Sequence, residues 1–231
     1  MADHLIPYVE FLGLPGSGKS YYSHKVAEKL RGDGYKIAEP SWELDHTCGK
    51  YSRAFKKMCM AWFFTLCHHR EAKGIKDVIR NSGLSKAEVN RFQRNVLYKA
   101  YLLSKKNESI LFFDEGLAQM AVSLSVSTNK SAGEIYNEVL SELSLKQKVH
   151  LIRIDCSIET ALLNMNQRES HDSYVERLGV LEEKKEYLGR YKTECESIIQ
   201  NKALVVPYSQ DDSMAVVTTM TEFIKSQMNK E

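Results

Sequence analysis

Eight residues near the N-terminus, Gly13-Leu-Pro-Gly-Ser-Gly-Lys19-Ser20, satisfy the spacing G-x-x-x-x-G-K-[ST]. Each residue type in that pattern has a task. Gly16 and Gly18 allow backbone conformations that turn successive N–H groups toward one point, where an anion can rest. Lys19 supplies a charge able to reach the outer phosphates of a nucleotide, and the Ser20 hydroxyl suits a Mg²⁺ ion bridging them. Gly13, Pro15, Gly16, Ser17, Gly18, Lys19 and Ser20 are therefore the expected cofactor-binding residues. A glycine-rich turn that binds nothing would require eight agreeing positions to be coincidental.

Acids come next. Ile110-Leu-Phe-Phe-Asp114-Glu115 is an apolar run ending in two carboxylates. If that run lies beside the glycine loop, Asp114 is placed to position a metal through its water shell. Glu115 would then activate water or a substrate hydroxyl. The bland alternative is that both acids are solvated and face the next helix N-terminus. Among other candidates, Arg91 and Arg94 read more simply as a solvated helix face. His68-His69 point about 100° apart on a helix and fit no familiar zinc spacing. The aromatic-rich run from Tyr51 to Phe64 reads as core before it reads as a ligand platform.

These residues need elements to hold them. Tyr8 to Leu12 is β-prone and runs into glycine, and Tyr22, Val26 and Leu30 then share a helical face. The glycine loop thus joins a strand to a helix, as its pattern requires. Gly32 and Gly34 stop that helix, and Tyr35 to Glu39 reads as a second strand, with Pro40 holding Glu39 extended at its end. Residues 42–106 carry no convincing strand. Ser85-Lys-Ala-Glu88 is a capping box opening a helix whose stripe is Val89, Phe92, Val96, Ala100 and Leu103. Ser109 to Phe113 is apolar on both faces, the mark of a buried parallel strand. Ser131 and Glu134 repeat the capping spacing. Val149 to Ile154 is a fourth strand, followed by a helix bearing Ile158, Ala161, Leu162 and Met165. Residues 169–200 are charged and mostly helical, Ala203 to Val206 is a fifth strand, and Ser213 to Met228 closes the chain as a helix. Strands alternating with helices imply an α/β fold with a parallel sheet covered on both faces.

With these pieces in place, the chain resembles the P-loop nucleoside and nucleotide kinases, notably deoxynucleoside and thymidylate kinases. The loop itself carries the resemblance, as do Glu39-Pro40-Ser41-Trp42, the segment Leu151 to Ala161 continuing to Arg168, and Glu186-Tyr-Leu with Tyr191. The resemblance implies a P-loop NTPase fold with strand order 2-3-1-4-5, a helical acceptor-side region at 42–106 and a lid at 168–190, all in one domain spanning 1–231. It implies that Glu39 takes the proton from an attacking hydroxyl, that Arg168 and Arg177 close over the phosphates, and that Pro207 to Gln210 meets the adenine. Arginine suits a lid because it stays charged and grips phosphate oxygens bidentately. One segment departs. The resembled kinases end the third strand with Glu-Arg-Ser or Asp-Arg-Tyr, whereas this chain has Asp114-Glu115-Gly116, which leaves the acceptor open among nucleosides, nucleotides, sugars, antibiotics and other metabolites.

The expected chemistry is γ-phosphoryl transfer from ATP with Mg²⁺. Lys19 would hold phosphates, Ser20 and Asp114 would organise the metal, and Glu39, Asp114 or Glu115 would orient the nucleophile. Arg168 and Arg177 would neutralise transition-state charge. A hydrolytic ATPase acting as a switch through Glu115 is the first rival, and a nucleotide-binding scaffold without turnover is the second. Thirty-two basic against 30 acidic side chains leave a net charge of +2, which points to no nucleic-acid or membrane partner. A homodimer is left open. Five scattered cysteines without a Cys-x-x-Cys pair suit free thiols, and residues 1–7 lack the features of a signal peptide. A cytoplasmic location is the expectation.

Overall fold

The computed structural model of the chain describes residues 8–81, 84–105, 109–143, 149–167, 174–199 and 203–228. β1 (Tyr8–Gly13) is buried along its whole length, because it lies at the centre of the sheet with helices on both faces. The chain then runs α1 (Lys19–Gly32), β2 (Ile37–Ala38), α2 (Pro40–Thr47), α3 (Lys50–Cys67), α4 (His69–Arg80) and α5 (Lys86–Ser104). It continues with β3 (Ile110–Phe113), α6 (Leu117–Ser125), α7 (Ala132–Leu143), β4 (Val149–Asp155) and α8 (Ile158–Asn166). α9 (Tyr174–Arg177), α10 (Leu181–Ile199), β5 (Ala203–Pro207) and α11 (Ser213–Met228) complete it.

All five strands pair in parallel in the order β2-β3-β1-β4-β5. Register sets Glu10 opposite Phe113 and Gly13 opposite Ile154, so the glycine loop and the acids after β3 leave the sheet at the same edge. One face is covered by α1 and α11, with Val26, Leu30, Val217 and Met220 packed on Val9, Phe11 and Ile152. The other is covered by the remaining core helices, with Phe64, Ile75, Val96, Ala118 and Leu188 against Tyr8 and Leu12.

Local chemistry sets the element ends. The capping box at Ser85 and Glu88 is formed, and Ser131 and Glu134 make the same reciprocal bonds. α1 ends in a Schellman arrangement, with the Gly34 N–H donating to Arg31 and the Tyr35 N–H to Leu30, while Gly34 takes φ +88°. That cap occupies Tyr35, so β2 is shorter than the expected five residues, and Glu39 becomes the N-cap of α2 with Pro40 at its first turn.

Between β2 and β3 the described chain is helical, with α3 packed on α5 and α4 against α5 and α7. The aromatic run in α3 corrects the core expectation: Ala61 and Phe64 are buried, but Tyr51, Phe55, Met58, Trp62 and Leu66 are exposed. Their spacing puts them on one stripe, and α5 covers only the opposite side of the helix. No helix among the described residues is long and apolar enough to cross a membrane.

Candidate functional site

The glycine loop is held in a shape that only glycine fits. Gly16 takes φ +87°, and a Cβ there would come 2.3 Å from the Ala161 carbonyl oxygen. Gly18 takes φ +78° as the N-cap of α1, so the helix's first amides open directly at the end of the loop. Lys19, at the start of α1, is buried and its ammonium donates to the carbonyls of Gly13 and Leu14 at 3.0 and 2.8 Å. Two side chains brace the loop from outside. Gln119 of α6 bonds both sides of Gly13, accepting its N–H at 3.2 Å and donating to its carbonyl at 3.1 Å. Asn164 of α8 donates to the Gly16 carbonyl at 2.8 Å. The Ser17 hydroxyl is buried in the loop without a hydrogen-bond partner. A glycine loop with a buried, unpartnered hydroxyl, opening onto the N-terminus of α1, fits a phosphate cradle.

Beside the loop, the Ser20 hydroxyl donates to Asp114 Oδ2 at 2.7 Å. The pair joins an alcohol oxygen and a carboxylate at the mouth of the cradle, a hard oxygen donor set of the kind Mg²⁺ takes with its waters. No cluster of three or more His, Cys, Asp or Glu side chains able to hold a metal occurs among the described residues. The donors fit a metal that is otherwise held by water and phosphate.

The turn carrying Asp114 and Glu115 is anchored from below by Glu10, which sequence inspection passed over. Glu10 is fully buried in β1, and its two carboxylate oxygens accept the N–H groups of Leu117 and Ala118 at 2.9 and 2.8 Å. These are the orphan amides that open α6, capped here by a side chain from a neighbouring strand. Gly116 makes room, since a Cβ there would lie 2.1 Å from Glu10 Cδ. Burial pushes the Glu10 carboxyl up to about 7, against the pull of the two amides and of Lys99. A lone acid inside an otherwise apolar central strand was the available signal.

These groups border a cavity of about 530 Å³ running from Gly16, Lys19 and Ser20 past Asp114 and Glu115 to a chamber between α3, α5, α6, α9 and α10. Phe92, Tyr98, Met120 and Tyr187 give the chamber apolar wall, and Lys57, Arg91, Asn95 and Lys99 give it polar groups.

The structure gathers most, not all, of the expected site. Pro15, Gly16, Lys19 and Ser20 of the loop share the cavity with Asp114 and Glu115, whereas Gly13, Ser17 and Gly18 do not line it. Glu39 does not line it: the carboxylate is buried and held by Arg31 at 2.8 Å and His24 at 3.1 Å, both reaching up from α1. Glu39, the expected base, thus sits in an ion pair at the head of α2 and off the cavity wall. Arg168 lies outside the described residues. Arg177 is exposed at the end of α9, whose Tyr174, Val175 and Glu176 reach the cavity rim while Arg177 does not. Arg91 lines the chamber and Arg94 does not. The loop after β5 is tied to α1, because the Tyr22 hydroxyl donates to the Ser209 carbonyl at 2.6 Å and the Tyr208 ring lies against Gly18.

No family model and no curated protein matches this chain. Among solved structures, shikimate kinase from Acinetobacter baumannii, in complex with shikimate, aligns over 96% of this chain and 94% of its own at 15% identity, with a TM-score of 0.51. The fold is a P-loop NTPase fold. APE1195 aligns over 96% of both chains at 15% identity, with a TM-score of 0.44. At such identity the first likeness is one of fold, and the chemistry has to be argued from the P-loop, the acids and the chamber of this chain.

Proposed function

We propose that this protein is an ATP-dependent phosphotransferase that moves the γ-phosphoryl group to a hydroxyl or phosphate of a small-molecule acceptor. The observation that carries the reading is the continuity of the cavity, which begins at Lys19 and Ser20 and extends into a chamber with its own apolar and polar wall. A site that only hydrolyses needs room for water, whereas this cavity of about 530 Å³ extends past the P-loop acids to side chains of α3, α5 and α10.

In this reading the amides at the N-terminus of α1 and the Lys19 ammonium hold the β- and γ-phosphates. Ser20 and Asp114 would hold Mg²⁺, which supplies charge neutralisation on the phosphate oxygens. With Glu39 locked by Arg31 and His24, the acids left to orient an acceptor hydroxyl are Asp114 and Glu115. Asp114 is bonded to Ser20, so Glu115 is the better placed to accept a proton. Arg168 and Arg177 remain the proposed lid charges, and the Tyr208 loop the adenine side.

The second reading, hydrolysis of ATP by water activated at Glu115, is favoured by the consecutive acids at the cavity wall. ADP release measured with and without a panel of nucleosides, nucleotides, sugars, aminoglycosides and hydroxy acids separates the two. Acceptor-dependent release is expected. Release that no acceptor accelerates, and that Glu115→Gln abolishes, would replace transfer with hydrolysis.

A further inference from the structure

Lys99 is the chamber's least expected side chain. It sits on α5 with 6% of its surface exposed and lines the cavity, yet no carboxylate lies within ion-pair distance of it among the described residues. Glu115, Asp114 and Glu10 attract it from farther away, but burial outweighs them and pulls the ammonium below its ordinary value. Lys57, over the Tyr98 ring at 5.4 Å, and Arg91, beside Phe92 at 5.4 Å, line the same chamber and likewise make no ion pair among the described residues. Two of the acids lining the cavity, Asp45 and Glu88, are already engaged. Asp45 accepts from Arg53 at 2.8 Å, and Glu88 accepts from the Ser85 hydroxyl at 2.6 Å. Arg91, Asn95 and Lys99 fall at i, i+4 and i+8, which stacks them along one face of α5 from the rim to the buried end.

We propose that this wall is an anion subsite, and that the phosphoryl acceptor carries a phosphate or carboxylate group which Lys99 receives at the buried end of the chamber and Arg91 and Lys57 attract at its mouth. The proposal rests on the phosphotransferase reading and narrows its acceptor. A buried lysine without a direct partner is costly to the fold, and such a cost persists where a ligand supplies the missing charge. The turn after β3, Asp114-Glu115-Gly116, carries no cation of its own. The acceptor-side cation comes instead from the helical block. Asp114 and Glu115 stay with the P-loop and its metal.

The alternative is that Lys99 merely offsets the three acids behind it, and stability distinguishes the two. Removing an unpaired buried charge for a similar apolar volume leaves a protein equally or more stable, whereas removing a structural counter-charge weakens it. The test titrates inorganic phosphate, and separately acetate, into wild type and Lys99→Met by calorimetry, with and without saturating Mg²⁺ and a non-hydrolysable ATP analogue. Saturating the P-loop leaves only a second site to be read. Wild type should bind phosphate or acetate with nucleotide present, and whichever binds names the acceptor's anion. Lys99→Met should lose at least tenfold in that affinity, keep nucleotide affinity within threefold and melt no lower. Equal anion binding in both proteins, or a lowered melting temperature together with weakened nucleotide binding, would overturn the proposal. Lys99→Arg keeps the charge and should retain anion binding, so it decides the matter if the Met variant does not fold. Failure of the nucleotide analogue to bind wild type would defeat the phosphotransferase reading instead, and the nucleotide-free titrations would still report on Lys99.

Discussion

Glu10 gives a pH signature that can be worked out in advance. Its carboxyl has an ordinary value of 4.5 and is raised to about 7 in the folded protein, with burial as the main cause. At ~1.4 kcal/mol per pKa unit, that difference is worth roughly 3 kcal/mol. The folded state binds this proton more tightly than the unfolded chain does. The stability it contributes is therefore complete below pH 4.5 and is lost as the pH rises through 7. Glu10→Gln keeps the shape and cannot ionise, so it mimics the protonated form. Urea denaturation of both proteins from pH 4 to 8 should find them within about 1 kcal/mol of each other at the acid end. By pH 8 the variant should be the more stable by ~3 kcal/mol. Other titrating groups, including the Glu39 pair, are common to both proteins and cancel in the difference. If wild type instead gains on the variant as the pH rises, the amides of Leu117 and Ala118 outweigh burial. Glu10 would then be a permanently charged cap for α6, and the reasoning would be refuted.

Three further perturbations bear on the same region. Gly116→Ala places a Cβ 2.1 Å from Glu10 Cδ and should destabilise by about 1–3 kcal/mol; a double-mutant cycle with Glu10→Ala should show that most of this cost disappears when the carboxylate is absent. Gln119→Ala strips both bonds from Gly13; the buried N–H is left unpaired, at about 1–3 kcal/mol, while the carbonyl keeps its bond from Lys19. Calorimetry should show weaker ATP-analogue binding alongside lower urea resistance. Tyr22→Phe removes the 2.6 Å bond to the Ser209 carbonyl and frees the loop after β5 from α1. A loss of about 1 kcal/mol, or roughly fivefold in ATP-analogue affinity, is expected with little change in Mg²⁺ dependence.

What could be read from the sequence followed the range of the interaction. The P-loop is local: its glycines, lysine and serine do their work within eight residues, and the strand before and helix after it are set by neighbouring periodicity. The capping boxes at Ser85 and Ser131 are equally local, and both are formed. The resemblance, rather than periodicity, supplied the strand order. Glu39 was placed correctly at the end of β2, but its chemistry depends on Arg31 and His24, which reach it only because α1 folds back over that strand. Glu10 likewise looks like a misplaced acid until parallel pairing brings Gly116 and the head of α6 beside it. Lys99 was within reach of the pattern. It lies seven residues beyond Phe92 and three beyond Val96, on the buried stripe of α5, where a lysine calls for a reason.

The location of that lysine bears on how the site can vary. A cation attached to the turn after β3 would move with the P-loop, because Glu10 ties that turn to β1 and Gln119 ties α6 to Gly13. Any change suited to a new acceptor would then disturb the phosphates as well. Lys99, Arg91 and Lys57 stand on α5 and α3, which pack on each other in the helical block between β2 and β3. Substitutions there can reshape the chamber while the bracing around Gly13, Gly16 and Gly116 stays as it is. In the proposed reading the cradle and the acceptor are carried by different parts of the chain, so variants of α3 and α5 should alter acceptor choice before they alter nucleotide affinity.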